Sequence, residues 1–168
     1  MRGYEVRRMG REPGLRDFDC GEPALNEYLH HHAQRSQASH FAVTYVASRT
    51  GRILGYVTLA ASQIAVDETG YSNKPRYPLP TLTLARLAVD RSVQGQGVGT
   101  GLLKFSLLEA LRMADEFGCV GVRVAANREA VSFSERFGFV RLVPMAAERS
   151  AVGTQMFLPL NQIEDARE

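Results

Sequence analysis

The chain has 168 residues, is 45% hydrophobic and 23% charged, and carries a formal net charge of +2. That describes one globular domain with a sizeable core and excludes a disordered or strongly polycationic chain. No apolar run approaches the roughly 18 residues of a membrane span, and the charged start "MRGYEVRRMGRE" lacks the apolar core of a secretory signal.

Tyr4–Met9 alternates and reads as a first strand. "FDCGEPALNEYLHHHAQ" reads as a helix capped by Asp19 or a neighbour, with Leu25, Tyr28 and Leu29 on its inner face. Residues 41–48 form a β-branched, aromatic strand, "RTGR" a hairpin turn, and residues 53–66 the returning strand. Residues 67–80 hold three prolines and are expected to be one long mobile loop. Thr81–Asp90 is a strong strand, and residues 98–117 are a helix stopped by Gly118. A buried strand (119–126), a short helix (127–139) and two last strands (139–145 and 154–160) follow. The tail "NQIEDARE" reads as polar and frayed. The expected organisation is one domain over 1–160 and a polar tail over 161–168.

Cys20 and Cys119 fit no metal-ligand spacing and suit a reducing cytoplasm. Lys74 and Lys104 are the only lysines among 20 basic residues, and arginine is the better phosphate fork. Arg2, Arg7, Arg8, Arg11 and Arg16 crowd the N-terminus. They read as a solvated face ahead of a nucleic-acid patch.

Four glycines, Gly95, Gly97, Gly99 and Gly101, alternate between the strong strand and the long helix. Such a turn leaves backbone N–H groups at a helix N-terminus, where they and the helix dipole favour a phosphate. A P-loop is excluded because Lys104 lies three residues past Gly101 and is followed by Phe105. A dinucleotide fingerprint is excluded because Thr100 or Leu102 falls where its last glycine belongs.

Gln94-Gly95-Gln96-Gly97-Val98-Gly99 resembles the Q/R-x-x-G-x-G/A signature of the GNAT superfamily of acetyl-CoA-dependent N-acetyltransferases. "LARLAVD", Asn127 with Ala130, and "FGF" at 137–139 agree in order and spacing. The resemblance implies an α/β (α+β) fold. It has a mixed, mostly antiparallel sheet of six to seven strands, a parallel β-α-β core and about four helices. It also implies that Gln94, Gly95, Gln96, Gly97, Val98 and Gly99 bind the pyrophosphate of acetyl-CoA. Leu87, Ala88 and Val89 would pair with its pantetheine arm, and Asn127 and Phe133 would complete the cofactor site. Asn127 also reads as a helix N-cap. No metal is implied.

"FDCGEPALNEYLHHHAQRSQAS" and "ARLAVDRSVQGQGVGTGLL" are similar to the GNAT toxins of bacterial toxin–antitoxin pairs. That likeness implies acetylation of the α-amine of aminoacyl-tRNA in the cytoplasm and neutralisation by a ribbon-helix-helix antitoxin. A homodimer is among the assemblies it allows. A GNAT enzyme for a small amine or a protein N-terminus, and a CoA-binding module without catalysis, are the alternatives.

The last alternative is motivated by Ser134, which stands where members of the subgroup carry the tyrosine that protonates the departing sulfur. Serine has a shorter reach and is a poorer acid. Losing a general acid costs about 10²–10⁴ in rate. A thiol of pKa about 8.5 is nevertheless a fair leaving group, and an α-amine near 7.7–8.0 needs a base far less than a lysine near 10.4. Tyr45, Tyr56 and Glu135 are candidate bases, and Tyr71 and Tyr77 are candidate substitute acids. His30, His31, His32 and His40 are the only histidines, and the first three read as a solvated cluster.

Overall fold

The computed structural model describes residues 3–65, 77–142 and 153–165, with the Glu129 side chain set aside. Most of the expected 67–80 loop lies outside these residues, as do residues 143–145 of the sixth strand. Seven strands, β1 (Glu5–Arg8), β2 (Val43–Arg49), β3 (Arg52–Ile64), β4 (Leu79–Val89), β5 (Gly121–Ala126), β6 (Val140–Arg141) and β7 (Thr154–Pro159), form a sheet in the order β1-β2-β3-β4-β5-β7-β6. Contacts divide the chain into two compact units, Met1–Ala60 with Ala85–Ser106 and Ala61–Leu84 with Leu107–Glu168.

The first unit holds β1 (Glu5–Arg8), β2 (Val43–Arg49), most of β3 (Arg52–Ile64) and the end of β4 (Leu79–Val89). β1, β2 and β3 pair antiparallel. Thr50 and Gly51 take φ of 50° and 79° at the β2–β3 turn, the backbone that matches a hairpin to strand twist. The helical rod is α1 (Pro23–Glu27), a π-helical turn at Tyr28–His32, and α2 (Ala33–Ala38). Pro23 starts it, its fixed φ suiting the first helical position. Asp19 does not cap it: its Oδ1 accepts from Gly21 N and Asn26 Nδ2, both at 2.8 Å, and braces the entering loop.

Tyr28, Leu29 and Ala33 pack with Phe18, Val46, Tyr56 and Ala88 in one buried cluster. The long helix α3 (Val98–Glu116) begins in this unit. It sits against the sheet at Gly55, where a Cβ would come within 2.9 Å of Ala88 O and 3.1 Å of Val98 Cγ1.

The second unit holds β5 (Gly121–Ala126), parallel to β4 over Leu82–Leu84. β7 (Thr154–Pro159) pairs antiparallel with β5 and with β6 (Val140–Arg141). Gly121 is forced by close approach, since a Cβ there would lie 2.3 Å from Leu158 O. Gly118, at φ 102°, ends α3. α4 (Arg128–Arg136) follows β5. The polar tail is not wholly frayed: Leu160–Asp165 forms α5, which seats Ile163 at 5% exposure. One apolar residue on a helical turn supplies the anchor that the polar composition concealed.

Candidate active site

In the first unit, the chain leaves β4 through a 3₁₀ turn at Arg91–Val93 and reaches Gly95 and Gly97 at φ 78° and 88°. L-residues other than Asn and Asp rarely adopt that conformation. Gly101 N donates to Gly97 O at 3.0 Å, the first helical bond of α3. The N–H groups of Val98, Gly99 and Thr100 therefore precede the helical ladder and lie at its positive end. A Cβ at Gly95 or Gly97 would have nothing within 4 Å, so the loop is open to a ligand at both positions. This is a backbone cradle suited to an anion.

Asp90 holds the cradle in place. It is 5% exposed and accepts from Asp19 N at 3.1 Å, Ser92 N at 3.0 Å, Ser92 Oγ at 2.6 Å and Arg52 Nη2 at 3.3 Å. Burial opposes its charge, but the bonds from Ser92 and Asp19 and the Arg52 guanidinium outweigh it and hold its carboxyl below the usual range. Gln94 adds a clamp, its Nε2 donating to Cys20 O and Val89 O at 3.0 Å. Its carboxamide thus ties the loop to the end of β4, leaving the backbone of 94–99 as the cradle.

β4 alternates in this unit. Leu87 and Val89 lie toward α3, their side chains 3.8 and 3.5 Å from where a Cβ of Gly99 would be. Arg86 and Ala88 lie on the other face, with Tyr28 and the buried cluster. The register with β5 covers only Leu82–Leu84, although β4 continues to Val89. The main chain of Leu87–Val89 is placed to pair with the amides of an extended ligand, as an added strand would. Beside the cradle, an open pocket of ≈ 470 Å³ is lined by Gly97, Thr100, Arg49 and Lys104 among others. Its two cations suit an anionic ligand.

The second unit carries Asn127, Phe133 and Ser134. Asn127 Oδ1 accepts from Ala130 N at 2.8 Å and caps α4. The ring of Phe133 packs on Phe137 at 5.2 Å. Ser134 is 6% exposed, and its carbonyl accepts from Phe137 N and Phe139 N. Its hydroxyl has no partner among the described residues.

The candidate bases are otherwise engaged. Tyr56 is fully buried and donates to Leu25 O at 2.8 Å, and burial raises its pKa strongly. Tyr45 packs on Phe105 at 4.7 Å, and Glu135 pairs with Arg141 at 2.9 Å. Tyr77 is 67% exposed, and Tyr71 lies outside the described residues. The histidine cluster divides: His30 Nε2 meets Phe18 O at 2.9 Å, while His31 and His32 are exposed beside Glu27 and His40 is exposed too. Of the N-terminal arginines, Arg7 is bound bidentately to Glu12, at 2.5 and 2.8 Å; Arg8, Arg11 and Arg16 are exposed.

Three features of the candidate site escaped the sequence reading: the Asp90 anchor, the two cations Arg49 and Lys104 beside the cradle, and Arg86 over Tyr28. Only the last left a local signal, a lone arginine inside the apolar strand "LTLARLAV".

A glycine cradle at a helix N-terminus, reached from a strand whose last residues continue past the β5 register, suits an anionic ligand with an extended arm. The chain belongs to the GNAT acetyltransferase family: the model of the acetyltransferase (GNAT) domain matches residues 40–141. It is 35% identical over 144 residues to a tRNA-acetylating toxin of Mycobacterium tuberculosis (strain ATCC 25618 / H37Rv), covering 83% of this chain and 86% of the relative. The toxin AtaT complexed with acetyl-methionyl-tRNAfMet matches it with a TM-score of 0.88 at 28% identity, over 98% of this chain and 99% of that one. A tyrosine-to-phenylalanine mutant of AtaT, bound to acetyl-CoA and the C-terminus of the antitoxin AtaR, matches with a TM-score of 0.82 at 30% identity and 98% of both chains. The enzyme is thus an N-acetyltransferase, with a mixed, mostly antiparallel sheet as the sequence suggested. No helix among the described residues is long and apolar enough to cross a membrane, and no cluster there could hold a metal ion.

Proposed function

We propose that the chain transfers acetyl from acetyl-CoA to the α-amine of aminoacyl-tRNA and so blocks translation. The observation that carries the substrate is its likeness, along nearly all its length, to a toxin captured with acetylated aminoacyl-tRNA. The cofactor reading rests on the cradle. The N–H groups at 95–100 would receive the pyrophosphate and the main chain of Leu87, Ala88 and Val89 would pair with pantetheine; Asn127 and Phe133 are cofactor residues by the family resemblance alone. Arg49 and Lys104 add positive charge beside the loop. The family match over residues 40–141 includes parts of both compact units, which supports reading them as one catalytic domain.

The chemistry asks little of side chains. The neutral amine attacks the thioester carbonyl, the C–N bond forms as the C–S bond breaks, the nitrogen gives up one proton to solvent, and the thiolate takes one proton from solvent. Main-chain N–H groups of β4 polarise the carbonyl. An aminoacyl ester withdraws electrons from its amine and keeps a useful fraction neutral at pH 7. The buried Ser134 hydroxyl takes no part. Ser134→Ala should therefore leave kcat within about threefold in initial-rate assays, well short of the roughly 10²–10⁴ that a lost general acid costs.

An aminoacyl-tRNA substrate supports a cytoplasmic location. By likeness to the AtaT–AtaR complex, its expected partner is an antitoxin, of the ribbon-helix-helix type. Adding the protein and acetyl-CoA to a translation extract tests the reading: translation should stop, and N-acetyl-aminoacyl-tRNA should accumulate. Continued translation with unmodified tRNA would favour a small amine or a protein N-terminus as acceptor.

A further inference from the structure

Arg86 is a half-buried cation in an apolar strand, and its environment is unusual. Its guanidinium carbon lies 3.7 Å from the centroid of the Tyr28 ring. No carboxylate among the described residues pairs with it, and none of its N–H groups has an acceptor there. The platform beneath it is fixed. Tyr28 stacks on Tyr56 at 6.4 Å and 24°, Tyr56 is bonded to Leu25 O, and Phe18 meets the Tyr56 ring edge-on at 5.6 Å. A guanidinium lying on a ring spends its face on the π-system and keeps its five in-plane donors. A preorganised, unpaired fork of this kind matches a phosphate bidentately.

Position decides which phosphate. Leu87 and Val89 lie on the α3 face beside Gly99, where the pyrophosphate cradle is. Arg86 precedes Leu87 by one residue and lies on the opposite face with Tyr28. It therefore lies on the other face of β4 from the cradle, next to the main chain proposed above to hold the thioester. We infer that Arg86, seated on Tyr28, is the acceptor-side phosphate anchor: it grips a phosphodiester at the 3′ end of the aminoacyl-tRNA and brings the α-amine to β4. This rests on the tRNA reading above.

The test compares Arg86→Met and Arg86→Lys with the unaltered enzyme on two acceptors. One is the bulk aminoacyl-tRNA pool; the other is a mixture of amino-acid methyl esters, which carry an α-amine but no phosphate. Arg86→Met should raise KM for aminoacyl-tRNA about tenfold with kcat nearly unchanged, and Arg86→Lys, which keeps the charge and loses the fork, about threefold. Transfer to the methyl esters and the Kd for acetyl-CoA should stay within about twofold. Equal losses on tRNA and esters, or an unchanged KM for tRNA, would overturn the inference while leaving the tRNA reading intact. A weakened acetyl-CoA affinity would assign the phosphate to the cofactor instead and also overturn it. Should Arg86→Met fail to fold, Arg86→Lys carries the same comparison. Failure of the unaltered enzyme to acetylate any aminoacyl-tRNA would remove both readings.

Discussion

Gly97→Asp should weaken acetyl-CoA binding about 10²-fold in calorimetry, and Gly97→Asn only about threefold. The pair isolates charge. Gly97 has φ 88°, and Asn and Asp are the L-residues that enter positive φ most readily. A Cβ there meets nothing within 4 Å, so neither variant has to displace a neighbour. Both carry similar backbone strain, and only Asp sets a carboxylate into the cradle. Two unit charges about 4 Å apart at an effective dielectric near 20 repel by about 4 kcal/mol. Solvent at this exposed loop screens part of that, which leaves about two orders of magnitude. Equal losses in the two variants would mean that the loop matters for its shape and not for an anion.

Asp90→Ala should lower stability by about 2–4 kcal/mol, because it removes a buried carboxylate that four partly buried donor bonds now share. For a chain of this size that is a fall in Tm of about 5–15 °C. Acetyl-CoA affinity should fall with it, since the 3₁₀ turn that Asp90 caps leads directly into Gly95. The pH dependence has a definite sign. Asp90 has a folded pKa below its unfolded value, held there by Ser92, Asp19 and Arg52 against the cost of burial. Its contribution is therefore present above the unfolded pKa of about 3.9 and is lost as pH falls through the folded value. The gap in Tm between the unaltered chain and Asp90→Ala should be full at pH 6–7 and should close below about pH 4. A gap that persisted at low pH would assign the effect to packing.

The route to the site was legible where local chemistry dictates structure. Alternating glycines need no partners to announce a turn with free N–H groups, and the apolar periodicity of Val98–Glu116 requires a helix behind it. The hairpin at Thr50–Gly51 was equally local. What escaped depends on residues far apart in sequence. Asp90 reads as the polar end of a strand, and its partners arrive from far along the chain, Asp19 from a loop and Arg52 from the start of β3. The π turn at Tyr28–His32 adds one residue to a helical turn, which blurs a 3.6-residue period without breaking it. It also separates His30, bonded to Phe18 O, from two exposed neighbours in a run that looks uniform. Arg86 was visible as an oddity, but only the fold puts Tyr28 beneath it.

Among the described residues Ser134 is buried, and Tyr56 and Glu135 are engaged. The proposed chemistry therefore calls for an acceptor that is already neutral, steered to the thioester by the phosphate contact proposed for Arg86. The most direct measurement supplies radiolabelled acetyl-CoA to purified aminoacyl-tRNA, with uncharged tRNA and lysine-bearing peptides as parallel acceptors. The account predicts that label passes to charged tRNA alone and remains on the amino acid, as an amide, after the ester is hydrolysed. Label that stays on CoA, or that passes to the peptides and not to charged tRNA, would contradict it.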